Sequence, residues 1–279
     1  MRPIAFSVFF IVAASAESSL KTPVKLPPPQ EQAASKTEIK LKLSAKEIII
    51  KSQELLRGAK SSHARLAMTL TRPSFARKME IESYQQGTQN SFIVIHKPAK
   101  EQGNRTLRLG RDIWSYTREA EQVIKIPFSM MQTNWMGSDF TYEDMTRFDS
   151  YVNYYDHAIV KTETDPQRIS DYLVTIELIP RADAPVIWGR VVWKSAVSAD
   201  GREVIQVSEE DYNERGELVR QITLDNVKIM GGKRMPTKIT CRAKKKKNQE
   251  TVLEYKTVAF DSDLDAKIFT KETLEKGLQ

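Results

Sequence analysis

Residues 105–148 read RTLRLGRDIWSYTREAEQVIKIPFSMMQTNWMGSDFTYEDMTRF, and a change of period inside this stretch decides the fold. Leu107-Leu109 and Trp114-Tyr116 are apolar at every second position, the period at which strand side chains return to one face. Residues 128–148 carry Phe128, Met130, Met131, Trp135, Met136, Phe140 and Met145 without that alternation, and read as short helices joined by loops. An apolar insertion between two runs of strands needs an apolar surface to cover. A long antiparallel sheet supplies one, because it must curl and its concave face must be kept from water.

Outward from this stretch the period of two continues in Leu66-Met68-Leu70, Met79-Ile81, Val174-Ile176-Leu178, Val191-Trp193, Ile222-Leu224 and Leu253-Tyr255. Turn signals punctuate it at Gln86-Gly87, Gln102-Gly103-Asn104, Ala199-Asp200-Gly201, Asn213-Glu214-Arg215-Gly216 and Gly231-Gly232. Short links make consecutive strands antiparallel neighbours, so the sequence predicts a mainly β chain of the α+β class with about ten or eleven strands in one meander. A helix over residues 43–57 precedes the strands: Ser44 is its N-cap, Glu47 follows three residues on, and Gly58 suits its C-terminal cap.

The 279 residues are 40% hydrophobic and 28% charged, with 11 Gly, 12 Pro and one Cys. That composition excludes collagen-like, disulfide-stapled and multi-span membrane chains and provides for a real core. Arg2, the apolar run 4–13 and Ala14-Ser15-Ala16 spell a secretory signal, residues 1–16, cut after Ala16. The run is shorter than the roughly 20 residues a spanning helix needs, and a periplasmic location is expected. Residues 17–40, with Pro27-Pro28-Pro29, read as a flexible leader, and residues 41–279 as a single domain. Without Arg2 the chain carries 42 Lys+Arg against 36 Asp+Glu, a spread excess that reads as ordinary basicity, with anionic head groups or an acidic partner as the alternative.

Several of these segments together resemble a known family. They are Trp114-Ser115-Tyr116, Ile124-Lys125-Ile126-Pro127 and Trp135-Met136-Gly137-Ser138-Asp139-Phe140-Thr141-Tyr142-Glu143-Asp144-Met145, then Gly216-Glu217-Leu218-Val219, Asp225-Asn226-Val227, Arg234-Met235-Pro236, Glu250-Thr251, and Phe269 before Leu274. In this order they look like the outer membrane lipoprotein-sorting proteins, relatives of the LolA-type periplasmic lipoprotein carriers, over most of residues 43–274. The resemblance implies an unclosed antiparallel β-barrel wrapped around a helical lid, with an apolar cavity for acyl chains, no catalytic group and no cofactor. It further implies a monomer whose partners are the acyl chains of a lipid or lipoprotein and an inner-membrane transporter of the RND or lipoprotein-releasing ABC type, with transient membrane contact. No arginine of this chain aligns with the lid-gating arginine of those carriers, and the Pro-rich leader departs from their pattern.

Taking the more apolar parity of each strand, the expected lining is Met68, Leu70, Met79, Ile81, Leu107, Leu109, Trp114, Tyr116, Val174, Ile176 and Trp193, joined from the insertion by Phe128, Met130, Met131, Trp135, Met136 and Phe140. Unbranched, polarizable Met adapts to chains of variable length, and Trp and Tyr add large apolar bodies with a polar edge. The plainer reading of the same residues is a solid core. A one-residue slip in strand phase would exchange the two faces.

Other constellations point away from chemistry. Asp139, Glu143 and Asp144 are explained by capping at a helix start more simply than by a cation. Asp261-x-Asp263-x-Asp265 with Glu272 spells most of a calcium loop, but Ala266 stands where that loop needs Gly. His63, His96 and His157 have no metal-ligand spacing, and Lys244 to Lys247 read as a solvated hairpin tip. No nucleophile elbow, phosphate loop or dinucleotide fingerprint is present, so enzyme activity is not expected. Nor is nucleic-acid binding, which would want a basic face interleaved with aromatics.

Overall fold

The structure, a computed structural model, describes residues 41–278. The signal sequence expected over residues 1–16 and the leader over 17–40 lie outside the described residues.

The first helix, α1 (Ala45–Arg57), begins at the capping box its sequence spells. Ser44 N donates to Glu47 Oε2 at 2.8 Å, and Glu47 N donates to Ser44 Oγ at 3.3 Å. Gly58 ends it at φ 78°, where a Cβ would stand 2.2 Å from the carbonyl oxygen of Ser61. Six strands follow: β1 (Ser61–Arg72), β2 (Phe75–Gln86), β3 (Asn90–Lys97), β4 (Arg105–Leu109), β5 (Asp112–Thr117) and β6 (Gln122–Ile126). After an insertion that ends in α2 (Arg147–Asn153) come β7 (Tyr155–Thr164), β8 (Tyr172–Pro180), β9 (Arg190–Val197), β10 (Val204–Tyr212), β11 (Leu218–Met230), β12 (Lys233–Ala243) and β13 (Glu250–Phe260). A short α3 (Lys271–Lys276) closes the chain.

All 13 strands form one antiparallel sheet in the order β6-β5-β4-β3-β2-β1-β13-β12-β11-β10-β9-β8-β7. The pairing of β1 with β13 joins two meanders, and the sheet stays unclosed, a half-barrel. Its free edges, β6 and β7, are consecutive in sequence, so the insertion between them runs from one lip of the opening to the other.

Thirteen strands exceed the expected ten or eleven because several do not alternate. β3 reads Phe92-Ile93-Val94-Ile95, apolar on both faces, because both faces are covered: Phe92 and Val94 meet Phe269 and Leu274 of the C-terminal segment, while Ile93 and Ile95 belong with Trp135 and Phe140. On the insertion face, α1 buries Ile48 and Ile49 against Val174, Ile176, Val191 and Trp193. Ser52 Oγ lies 3.0 Å from Ser195 Oγ, which also accepts from Trp193 Nε1 at 2.8 Å.

Three of the four acids of the calcium-like string hold neighbouring donors instead of converging. Asp261 accepts from Lys60 N at 2.7 Å, Asp265 from Lys267 N at 2.8 Å, and Glu272 pairs with Lys276 at 2.8 Å. No group of three or more His, Cys, Asp or Glu among the described residues is placed to hold a metal ion.

Candidate functional site

An apolar cavity of about 180 Å³ lies between the sheet and the insertion. Ala64 and Leu66 of β1, Ile81 of β2, Ile93 of β3, Ile239 of β12 and Leu253 and Tyr255 of β13 form its floor; Leu56 of α1 and Trp135, Phe140, Met145 and Phe148 form its roof. A further 80 Å³ adjoins it beside Leu56, Phe148 and Tyr255, under α1. Trp135 is held by its indole N–H, which donates to Thr106 Oγ1 at 3.2 Å.

The expected lining residues separate into groups. Ile81, Trp135 and Phe140 border the cavity, and Met68, Leu70, Met79 and Met136 pack in the same apolar cluster behind its wall. Val174 and Ile176 are sealed beneath α1, Trp193 borders the adjoining 80 Å³ space there, and Met131 packs on Ile113 and Ile126. Phe128 and Met130 are 60% and 43% exposed at the lip of the opening. Leu107, Leu109, Trp114 and Tyr116 stand on the opposite face, packed with Phe269 and Leu274, which corrects their expected place in the cavity. The more apolar parity of β4 and β5 is the outer one because the C-terminal segment buries it, while inward positions such as Thr106 and Arg108 serve the insertion through Trp135 and Asp149.

Asp144 and Arg147 also border the cavity, and they belong to a buried ionic cluster. Arg220 donates to Asp144 at 2.5 and 2.7 Å and to Asp211 at 2.6 Å; Arg147 donates to Asp144 at 3.2 Å and to Glu209 at 3.0 Å. Tyr151 Oη donates to Glu209 at 2.7 Å, and Gln206 Nε2 to the other Glu209 oxygen at 3.1 Å. Burial acts to raise the Asp144 carboxyl, but the guanidinium groups of Arg220 and Arg147 outweigh it and hold it at about 2. Glu143 is different: neither carboxylate oxygen has a hydrogen-bond partner among the described residues, and burial, then the charge of Asp144, pushes it up to about 7. Glu143 and Asp144 stand in the first turn of a 3-10 helix (Glu143–Met145) that has no side-chain cap, so the capping expected of the three acids is corrected; Asp144 instead accepts from Thr141 N at 2.7 Å.

Further ties fasten the insertion to the sheet. Arg72 donates to Asp139 Oδ2 at 3.0 Å and to the Gly137 carbonyl at 2.9 Å, Arg77 to the Met136 carbonyl, and Thr251 Oγ1 to Asp139 Oδ2 at 2.7 Å. Cys241 Sγ donates to the Asp139 carbonyl at 3.4 Å, and burial pushes its thiol up to about 12.

Sequence reasoning missed these groups, since Glu209, Asp211 and Arg220 meet Asp144 and Arg147 only through the fold. The one local signal was Asp144 three residues before Arg147. On the far face of the sheet His63 Nε2 and His96 Nε2 each lie 2.7 Å from a different oxygen of Glu82. Burial acts to raise that carboxyl, and the two imidazoles outweigh it, leaving it at about 2.

An unclosed antiparallel sheet with a helical insertion between its free edges is a LolA-like half-barrel, and solved structures share that fold. A DUF1329 family protein from Desulfovibrio piger is 19% identical, with a TM-score of 0.72 over 82% of this chain and 97% of that one. A domain described as that of an outer membrane lipoprotein-sorting protein, from Vibrio parahaemolyticus, is 20% identical, with a TM-score of 0.70 over 83% and 98%. A LolA superfamily protein from Nitrosomonas europaea is 23% identical, with a TM-score of 0.67 over 82% and 99%. No curated protein matches the sequence. Residues 87–276 match the model of a family described as an uncharacterized protein, and the chain belongs to that family.

Proposed function

We propose that the protein is a periplasmic carrier that takes the acyl part of a lipid or lipoprotein into the half-barrel and shields it between membranes. The observation that carries this reading is the apolar cavity roofed by a segment that spans the two free edges of the sheet. Transfer of each methylene from water into such a space is worth about 0.8 kcal/mol, so a chain of about ten methylenes gains on the order of 8 kcal/mol before ordering costs. No catalytic group is required. In its closed form the cavity, at 180 Å³, is smaller than the 300–1,000 Å³ of typical ligand pockets, so uptake needs the insertion to lift. An inner-membrane transporter that binds the lifted form more tightly would drive that change.

The same small volume favours a second reading, a half-barrel that holds no lipid and works as an interaction or sensor module of an envelope complex. Native mass spectrometry of the protein purified from its own periplasm, with lipid extraction, separates the two. The carrier reading expects a stoichiometric acyl-containing ligand that is lost when Ser83→Phe fills the cavity it lines. A ligand-free mass that added lipids and lipopeptides do not shift would overturn it and leave the module.

A further inference from the structure

Because β1 pairs with β13, the β1–β2 and β12–β13 hairpins end side by side in the middle of the sheet. Residues 72–78 and 242–250, which make the two tips, hold eight basic residues and one acid. Arg72 and Arg77 turn inward to the insertion, but Lys78, Arg242 and Lys244 to Lys247 are exposed. Glu250 meets Arg242 at 2.6 Å, and Glu217 and Asp139 stand 3.7 and 3.9 Å from Lys245 and Lys246, while Lys78, Lys244 and Lys247 have no ion pair among the described residues. A lysine-rich tip commonly guards a free edge from pairing. Here that purpose is missing, since β12 and β13 are interior strands and the free edges are β6 and β7.

An apolar side chain stands among these charges. Phe75, at the β1–β2 tip, is 54% exposed; it faces Arg72 across that hairpin, and the next position, Thr71, faces Glu250 of the other. An exposed ring in a lysine-rich ridge matches a bilayer interface, where the ring enters the head-group layer and the lysines meet phosphates. Lysine suits such a partner. Its ammonium is a flexible point charge that follows a diffuse anionic layer, whereas a fixed carboxylate on a protein is read better by the bidentate fork of arginine, and residues 244–247 hold none.

We propose that the paired tips are a docking surface for an anionic phospholipid bilayer. Arg72 and Thr251, in the same two hairpins, hold Asp139 of the insertion, so the molecule rests on the bilayer by the end at which its roof is fastened. The surface stands on charge and exposure and does not depend on what the apolar cavity holds.

Flotation of the exported protein with vesicles tests it, on phosphatidylcholine alone and on phosphatidylcholine mixed equally with phosphatidylglycerol. Binding is expected on the mixed vesicles and not on the neutral ones, and it should fall steeply as salt rises. Each lysine at an anionic surface is worth roughly fivefold in partition, so Lys244→Gln, Lys245→Gln and Lys247→Gln together should weaken binding by about 100-fold and flatten its salt dependence. Phe75→Ser should weaken it by about tenfold and keep the salt dependence. Ser83→Phe, which fills the apolar cavity, should leave it within about twofold. Equal binding to both vesicles, or binding to the mixed ones that the lysine variant does not change, would overturn the docking surface. So would binding lost in Ser83→Phe alone, which would assign the lipid contact to the cavity and support the carrier. Absence of vesicle binding overturns it as well, and binding of polyglutamate through the same lysines would then give the tips to an acidic protein.

Discussion

Glu143 shows how one side chain ties the roof to pH. Four carboxylates, Glu143, Asp144, Glu209 and Asp211, share a buried region with two guanidinium groups, Arg147 and Arg220, so full ionisation leaves an excess of negative charge. Asp144 and Glu209 are held by arginines. Glu143 has no donor among the described residues, and burial with the neighbouring charge of Asp144 lifts it from an ordinary 4.5 to about 7. In the unfolded chain this carboxyl ionises near 4.5, while in the folded chain it keeps its proton until about 7. Its contribution to stability is therefore complete below 4.5, declines through the interval and is lost as pH rises through about 7. The difference corresponds to about 3 kcal/mol. Glu143→Gln is expected to remove that decline and to be the more stable protein at pH 8 by up to this amount, measured by urea unfolding between pH 5 and pH 8. Parallel stability curves for the two proteins would show that the carboxyl is already paired. Asp144, lowered to about 2, acts in the opposite sense, losing its contribution as pH falls through that value, outside this window.

The insertion behaves as an element held by its contacts more than by its own helicity. Its 3-10 turns are three residues each and α2 has seven, too short to persist alone, so the ties from β1, β2 and β13 set its place. Arg72→Ala strands the Asp139 carboxylate, which is 1% exposed, and loss of one partner of a buried pair costs about 3–5 kcal/mol. Hydrogen exchange is expected to quicken across residues 131–145 while the amides of β1 to β3 stay protected, and the more exposed Arg77→Ala should give a weaker version of the same pattern. Equal loss of protection in the sheet would mean that roof and sheet unfold together. How these elements could be read from sequence differs with the reach of the interactions behind them. The capping box of α1 and the alternation of Met68-Leu70 and Val174-Ile176 involve neighbours along the chain, and their burial follows from period alone. The outward turn of Leu107 and Trp114 depends on Phe269 and Leu274, more than 150 residues away, and period cannot say which of two covered faces is which. The ionic cluster is hidden for the same reason: Glu209 and Asp211 look like the solvent face of a strand until Arg147 and Arg220 are brought to them.

At the scale of the whole molecule, the two free edges and the segment that joins them make an opening whose state should be measurable without introducing a new residue. Cys241 is the only cysteine in the chain, and it sits under the insertion, its Sγ donating to the carbonyl of Asp139. Burial pushes the thiol up to about 12, so in the closed form it is both unreachable and protonated, and alkylation requires the roof to lift. The rate of iodoacetamide labelling at fixed pH therefore counts openings. It should be slow in the protein as isolated and rise by about tenfold or more in Arg72→Ala. A lipid that settles under the closed roof should instead slow it. Labelling that is fast in the isolated protein and indifferent to Arg72 would mean that the thiol is reached through the sheet side, and the insertion would then be a fixed part of the core instead of a lid.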